Sequence, residues 1–361
     1  MRPRVLLVLV PLAVVSLAAG WYLDIAAAPS AGTAAENGWL MFPDLTPKLA
    51  QAAQIELVHG AATLRLARDK TTGAWGVAER GGYRADAGKL RGLLTGFTEL
   101  RLMERRTADP ALFARLGVED PTGKDAASTL VRITDAGGNA IAELIVGHTR
   151  YRTGGNLPEQ VYVRRPGEDQ SWLAEGKLDL DADALSWLDR DIMDIKPARI
   201  ASVAVTTPGG HLVLARSGEK LTVQEPADHP PLDADRLDDV QHALELLTLQ
   251  DVRRAADALK GESPGSAVFD TTDGLAITAT AMKSGKDLWV SFRAAAAPDA
   301  KDAKAAADAA AALDGRLSGW DFQVGSWKQK ALVPTPDDLK AAPPPAPPPA
   351  APAPAPAAPK P

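Results

Sequence analysis

A chain of 361 residues has room for two or three domains of ordinary size, and at 45% hydrophobic and 24% charged it has the composition of a protein that buries a core. A formal charge of −6 with no basic stripe argues against a nucleic-acid partner, so no nucleic acid is expected. The absence of cysteine excludes disulfides, thiolate nucleophiles, Cys-ligated zinc and the lipid-attachment cysteine of a bacterial lipoprotein.

Residues 1–25 open with Arg2 and Arg4 and continue as an apolar run from Val5, ending in Gly20-Trp21-Tyr22-Leu23 before the first acid, Asp24. The run is close to the ~20 residues that span a bilayer. The aromatic pair suits an interfacial belt, and the arginines place the N-terminus in the cytoplasm. An uncleaved signal anchor is favoured over a cleaved signal peptide, for which Ala26-Ala27-Ala28 offers a cleavage site. Both export the rest of the chain. Residues 26–38 read as a linker, and Gly38 to Leu45 as an apolar segment that packs on the strands beyond it rather than lying on a membrane.

From Ile55 the chain alternates: Ile55-Glu56-Leu57-Val58, a turn at His59-Gly60, Thr63 to Arg68, Trp75-Gly76-Val77, then a helix from Asp86 with apolar residues at 90, 93, 94, 97 and 100. Asp109 to Val118 reads as a short helix stopped by Gly117. Thr129–Ile133 and Ala140–Val146 flank an Asp-Ala-Gly-Gly-Asn turn as a β-hairpin, extended by Val161–Val163 and Ser171–Leu173. Asp183 to Leu188 is a further short helix.

A second copy begins at Ile200. Leu212-Val213-Leu214-Ala215-Arg216 answers Leu64-Arg65-Leu66-Ala67-Arg68, and Leu221-Thr222-Val223 answers Trp75-Gly76-Val77. The helices align without a gap: Asp86 with Asp233, Leu90 with Leu237, Leu93 with Val240, Phe97 with Leu244, Leu102 with Leu249, Arg106 with Arg253. An internal repeat outranks local signals. The expected fold class is therefore α+β, with two related halves, each an antiparallel β-sheet with a packed helix. The first half spans 39–197 and the second 198–340. Within the second, 294–313 is an alanine-rich stretch, read as a solvated helix or a disordered insertion, and Gly315 to Val324 is the last strand. Residues 341–361 form a Pro/Ala-rich tail, a spacer of polyproline II character.

Chemistry is thin. His59, His148, His211, His229 and His242 lie apart, with no pair at metal-ligand spacing, and are expected to be solvated, His59 and His211 in turns of corresponding hairpins. Asp233, Asp235, Asp238 and Asp239 suit a helix start, and Asp189, Asp191 and Asp194 invite the same answer. Ser266 lacks a nucleophile-elbow context, Gly154-Gly155 does not open a helix, and no Walker lysine is present. Trp21, Trp39, Trp75, Trp172, Trp187, Trp289, Trp320 and Trp327 are expected mostly in the core. No catalytic residue, cofactor or metal is assigned.

Leu40-Met41-Phe42-Pro43-Asp44-Leu45, Trp75-Gly76-Val77, Leu116-Gly117-Val118-Glu119-Asp120-Pro121, Ile145-Val146-Gly147 and Gly319 to Val324, in this order behind an apolar N-terminus, resemble the bacterial domain-of-unknown-function 4340 family over about Trp39 to Leu339. The resemblance implies a single-pass inner-membrane protein with its bulk in the periplasm, a non-catalytic accessory or scaffold subunit beside the permease and auxiliary subunits of a gliding-motility-type ABC transporter. Two alternatives stand: an envelope polysaccharide- or peptidoglycan-binding module, which needs Trp172, Trp187 or Trp289 exposed on one face, and an uncharacterised enzyme using Asp189 to Asp194.

Overall fold

The structure, a computed structural model, describes residues 38–121, 123–150, 158–255 and 261–341. The anchor, the linker up to residue 37, the Gly154-Gly155 loop and the Pro/Ala tail lie outside them. Among the described residues no helix is long and apolar enough to cross a membrane. The chain divides into two compact units, meeting in sequence between Asp189 and Arg190. Both are α+β, built mostly of antiparallel sheet.

The first unit holds strands β1 (Trp39–Leu40), β2 (Ala52–His59), β3 (Ala62–Arg68), β4 (Trp75–Val77), β5 (Tyr83–Arg84), β6 (Arg101–Arg105), β7 (Thr129–Asp135), β8 (Ala140–Arg150), β9 (Gln160–Arg164) and β10 (Ser171–Glu175). They form one sheet in the order β1-β6-β10-β9-β8-β7-β2-β3-β4-β5. Helix α1 (Ala87–Glu99) connects β5 to β6 and buries Leu90, Leu93 and Phe97. Its start is fixed by Asp86, whose carboxylate accepts from the N–H groups of Gly88 (2.7 Å) and Lys89 (2.9 Å). The segment before β2 packs as expected: Met41 and Leu45 are buried, and Phe42 stacks on Phe97 with ring centres 5.8 Å apart. Leu144, Ile145 and Val146 are consecutive in β8 and all buried, so the sheet is covered on both faces there.

The second unit holds β11 (Asp191–Met193), β12 (Ile200–Thr207), β13 (Gly210–Ser217), β14 (Lys220–Glu225), β15 (Leu247–Thr248), β16 (Asp251–Arg254), β17 (Glu262–Thr271), β18 (Leu275–Ser284), β19 (Asp287–Ala296) and β20 (Trp320–Val324). Its main sheet runs β14-β13-β12-β17-β18-β19-β20-β16, and β11 pairs separately with β15. Strand for strand, this is the order β4-β3-β2-β7-β8-β9-β10-β6 of the first unit. The irregularities agree too. A register shift between Ala52 and Gln54 in β2–β7 recurs between Ile200 and Ser202 in β12–β17. Trp75 faces Arg68 across β3–β4, and Leu221 faces Arg216 across β13–β14.

Several sequence expectations are corrected. Ile55 pairs with Leu66 and Val203 with Leu214, so the register matches Ile55 to Val203 rather than to Ile200. The second helix does not align to its end: the residues after α3 (Ala234–Gln241) are turns, where α1 runs 13 residues. Intrinsic propensity does not explain the difference, since the longer helix carries three glycines. What differs is the anchoring, because Leu246 sits at φ +44° with its N–H donated to Asp194 Oδ1 at 3.1 Å. Of the two readings of the alanine-rich stretch, the helix and not the disordered insertion is found, largely exposed but packed along one face. Ala294–Ala296 completes β19, and α4 (Ala303–Leu317) buries Ala306, Ala310 and Leu317 while packing on β18 and β19. The final strand accordingly begins at Trp320, and residues 315–317 belong to the helix.

Candidate functional site

Several sequence motifs of the first unit meet at one place. Asp109 accepts from the N–H of Ala111 at 3.0 Å and starts a turn that leads into the four-residue helix α2 (Phe113–Leu116). Gly117 ends it at φ +67°, a left-handed conformation that glycine adopts without steric cost. Phe113, Val118 and Ile145 then form a buried cluster with Leu116, Leu130 and Tyr162 around it. Gly147 is required by the same packing: a Cβ there would lie 2.3 Å from the Leu116 carbonyl oxygen.

The segment is pinned from beneath by Arg164, a charged residue only 3% exposed. Its guanidinium stacks 4.5 Å from the centre of the Phe113 ring. Nε donates to the Val118 carbonyl (2.8 Å), Nη1 to that of Glu168 (3.0 Å) and Nη2 to the Asp120 carboxylate. Burying an arginine is costly unless its donors are met, and here they are.

Beside this pinned segment opens a cavity of about 500 Å³, lined by Arg105, Arg106, Thr107, Leu112, Arg115 and Leu116. Three guanidinium groups and two leucines line it, and no carboxylate does. Its floor is set by the strand edge: Arg106 N–H donates to the Ser171 carbonyl (2.9 Å), and Ser171 returns N–H (2.9 Å) and Oγ (2.6 Å) bonds to the Thr107 carbonyl. Arg105 lies 5.3 Å from the ring centre of Trp172, its direct partner across β6–β10, and Arg106 lies 5.9 Å from that of Tyr162 on β9. Stacking of this kind orients a guanidinium while leaving its edge free for an anion. The paired acid is Glu104, 2.7 Å from Arg106 Nη2.

The second unit carries a similar pair in the reverse order along the strand and with a different acid. Arg254 pairs with Trp320 across β16–β20 and lies 4.1 Å from its ring centre; Arg253 lies 4.9 Å from that of Trp289 on β19. By register Arg254 therefore corresponds to Arg105 and Arg253 to Glu104, two places away from the sequence alignment of Arg253 with Arg106. Arg253 Nη2 contacts the Asp321 carboxylate at 2.9 Å. Across the strands Asp321 faces Arg253, whereas Leu173 faces Glu104 at the equivalent pairing of the first unit.

The tryptophans thus depart from expectation. Among the described ones only Trp187 is fully buried; Trp75, Trp172, Trp289 and Trp320 are half-buried, and Trp39 and Trp327 are exposed. The burial of Trp187 removes it from any glycan platform. Trp172 and Trp289 each have an arginine guanidinium over the ring.

The carboxylates singled out in the sequence do not gather. Asp189 holds Arg84 at 2.6 Å within the first unit, whereas Asp194, in the second, accepts from Leu246 N–H and pairs with Lys196 at 3.1 Å. Those two contacts, the backbone N–H foremost, hold the Asp194 carboxyl below the usual range. Asp233 caps α3 through the N–H of Asp235 (2.9 Å), and Asp238 accepts from Gln241 Nε2. The histidines stay apart. His59 ends β2 with Nδ1 3.1 Å from Ser128 O and Thr129 Oγ1, and His211 lies in β13 rather than in its turn. His229 contacts the Pro230 carbonyl, His242 that of Asp238, and exposed His148 lies against Gly117. Ser266 is a mid-strand residue of β17. Among the described residues no three His, Asp or Glu side chains are grouped to hold a metal.

The arginine pocket itself was not read from the sequence. The signal that could have found it is the Arg-Arg pair repeated at Arg105-Arg106 and Arg253-Arg254. Residues 75–263, more than half of the chain, match the family described as Domain of unknown function (DUF4340). No curated protein and no solved structure matches the chain.

Proposed function

The chain belongs to the DUF4340 family, and from that premise we propose that it is a non-catalytic accessory protein that works by contact in an ABC-type transport system. The supporting observation is the pairing of the carboxylates singled out above, which are taken up by caps, backbone N–H groups and individual cations, while the arginines of one open pocket are left in excess. An acid–base site needs titratable groups converging on one reacting centre. A docking protein needs concave, chemically distinct surface, which the first unit has. The apolar run at Val5 to Leu23 supports a single-pass anchor in the inner membrane with the remainder in the periplasm. The shared strand order supports a duplication, and two similar units could meet two similar permease subunits.

The test is purification of the tagged full-length protein from its native membrane in mild detergent, with crosslinking and mass spectrometry of what accompanies it. Recovery of an ABC permease and its ATPase is the expected result. A preparation that carries no transporter subunit even after crosslinking overturns the proposal.

A further inference from the structure

We infer that the pocket lined by Arg105, Arg106, Thr107, Leu112, Arg115 and Leu116 is a docking site for an acidic segment of a partner polypeptide, one that presents Asp or Glu next to an apolar side chain. This rests on the reading of the chain as a contact protein and names the chemistry that one of its surfaces recognises.

The two units share a stack and differ in the acid beside it. Each carries an Arg-Arg pair in the same strand region, one arginine stacked on a tryptophan across the neighbouring strand and the other on an aromatic one strand further. In both units the Nε of the arginine stacked on the farther aromatic, Arg106 or Arg253, is buried without a hydrogen-bond partner. That feature therefore belongs to the stack and not to a ligand. Arg253 is met by Asp321, whose side chain is 13% exposed and which comes from the adjacent strand. Among the described residues Arg106 is met by Glu104, two places before it and 55% exposed, where an ion pair is weak and solvent-screened. At the register where the second unit has Arg253 facing Asp321 the first has Glu104 facing Leu173, so the first unit lacks the buried carboxylate from the adjacent strand and its acid there is the exposed Glu104.

Instead it adds positive charge. Arg115, on the last turn of α2, and Arg105 both line the cavity, with Leu112 and Leu116 completing its wall. In a chain of net charge −6, three arginines around about 500 Å³ without a lining carboxylate form a local reversal of sign. The guanidinium fork matches a carboxylate with two parallel hydrogen bonds, and that is the anion the chain itself uses at Arg164, Arg253 and Arg84. The two leucines fix the second requirement, since an apolar neighbour of the acid fills the wall that a free inorganic anion leaves empty. A cavity of this size is in the range that holds one or two side chains. The rigidity of the site comes from the pinned α2 segment, which arginine-to-phenylalanine stacking and three donors of Arg164 hold in place.

The experiment is selection of a randomised peptide library, displayed on phage, against the full-length chain in detergent, followed by fluorescence polarisation of the enriched peptides. Enriched sequences are expected to place Asp or Glu beside Leu or Phe. The change Arg105→Gln/Arg115→Gln should weaken their binding by about tenfold or more, as should amidation of the acid in the peptide. Arg254→Gln, at the corresponding stack of the second unit, should alter it by less than about twofold. Arg115→Gln alone, on an exposed position, keeps the test valid if the double variant melts early. Enrichment without an acidic residue, or an equal effect of Arg254→Gln, overturns the inference. So does arginine-dependent co-sedimentation with phosphatidylglycerol vesicles in the absence of any enriched peptide, which assigns the pocket to a lipid phosphate. Peptide binding with no transporter recovered from membranes removes the ABC assignment and leaves this inference standing; a transporter recovered equally by the arginine variants, with no peptide selected, does the reverse.

Discussion

Gly147 and Gly117 show why a motif can be strict without being catalytic. A Cβ at Gly147 meets the carbonyl oxygens of Leu116 and Gly117 at 2.3 and 2.7 Å, and these are backbone atoms that cannot turn aside. Gly147→Ala is therefore expected to cost about 1–3 kcal/mol, as overpacking does, and a urea midpoint unchanged from the parent would contradict it. Asp194 makes a pH-dependent contribution. Its carboxyl is held below the usual range by the Leu246 N–H and then by Lys196, so the stabilisation is present above the ordinary carboxylate pKa and lost as pH falls through the lower folded value. Asp194→Asn should lower the urea midpoint at neutral pH, with the gap closing on acidification. A gap of constant size at every pH would refute the assignment.

Elements are decided by what caps and covers them. Asp86 accepts two backbone N–H groups at the start of α1, and Asp86→Ala should cost about 1 kcal/mol of stability. Thermal melts of the two proteins measure it. The alanine-rich α4 is a sharper case, because alanine carries almost no burial signal: the same residue lies buried at Ala306 and Ala310 and exposed at Ala309, Ala311 and Ala312. Leu317 is fully buried at its end. Leu317→Ala should destabilise by about 2–5 kcal/mol, whereas Ala311→Ser should stay within about 0.5 kcal/mol. Equal small effects of both would restore the picture of a loosely attached insertion.

At the scale of the whole molecule, each unit has its own sheet and its own buried residues, so residues 38–189 and 190–341 expressed separately should each melt cooperatively. A fragment lacking a cooperative transition in calorimetry would show that its core is completed elsewhere. The repeat was legible because its signals are local: alternation of apolar residues, Asp at helix starts, and the parallel runs around Leu64–Arg68 and Leu212–Arg216 depend only on neighbours in sequence. Strand class, helix starts and the Gly117 stop came from the same source. Register did not: strand pairing matches Arg105 to Arg254, two places away from the alignment of Arg106 with Arg253. Nor did the site. Arg105, Arg115, Tyr162 and Trp172 are distant in the chain and become neighbours through the order β6-β10-β9 and the fold of α2 over the sheet. By itself, then, the sequence determined which elements form and that they form twice, since helix and strand preferences are short-range. Only the tertiary structure decided which arginine meets a buried carboxylate from a neighbouring strand and which meets an exposed one, because charge balance at a site is set by what the fold brings across from other strands.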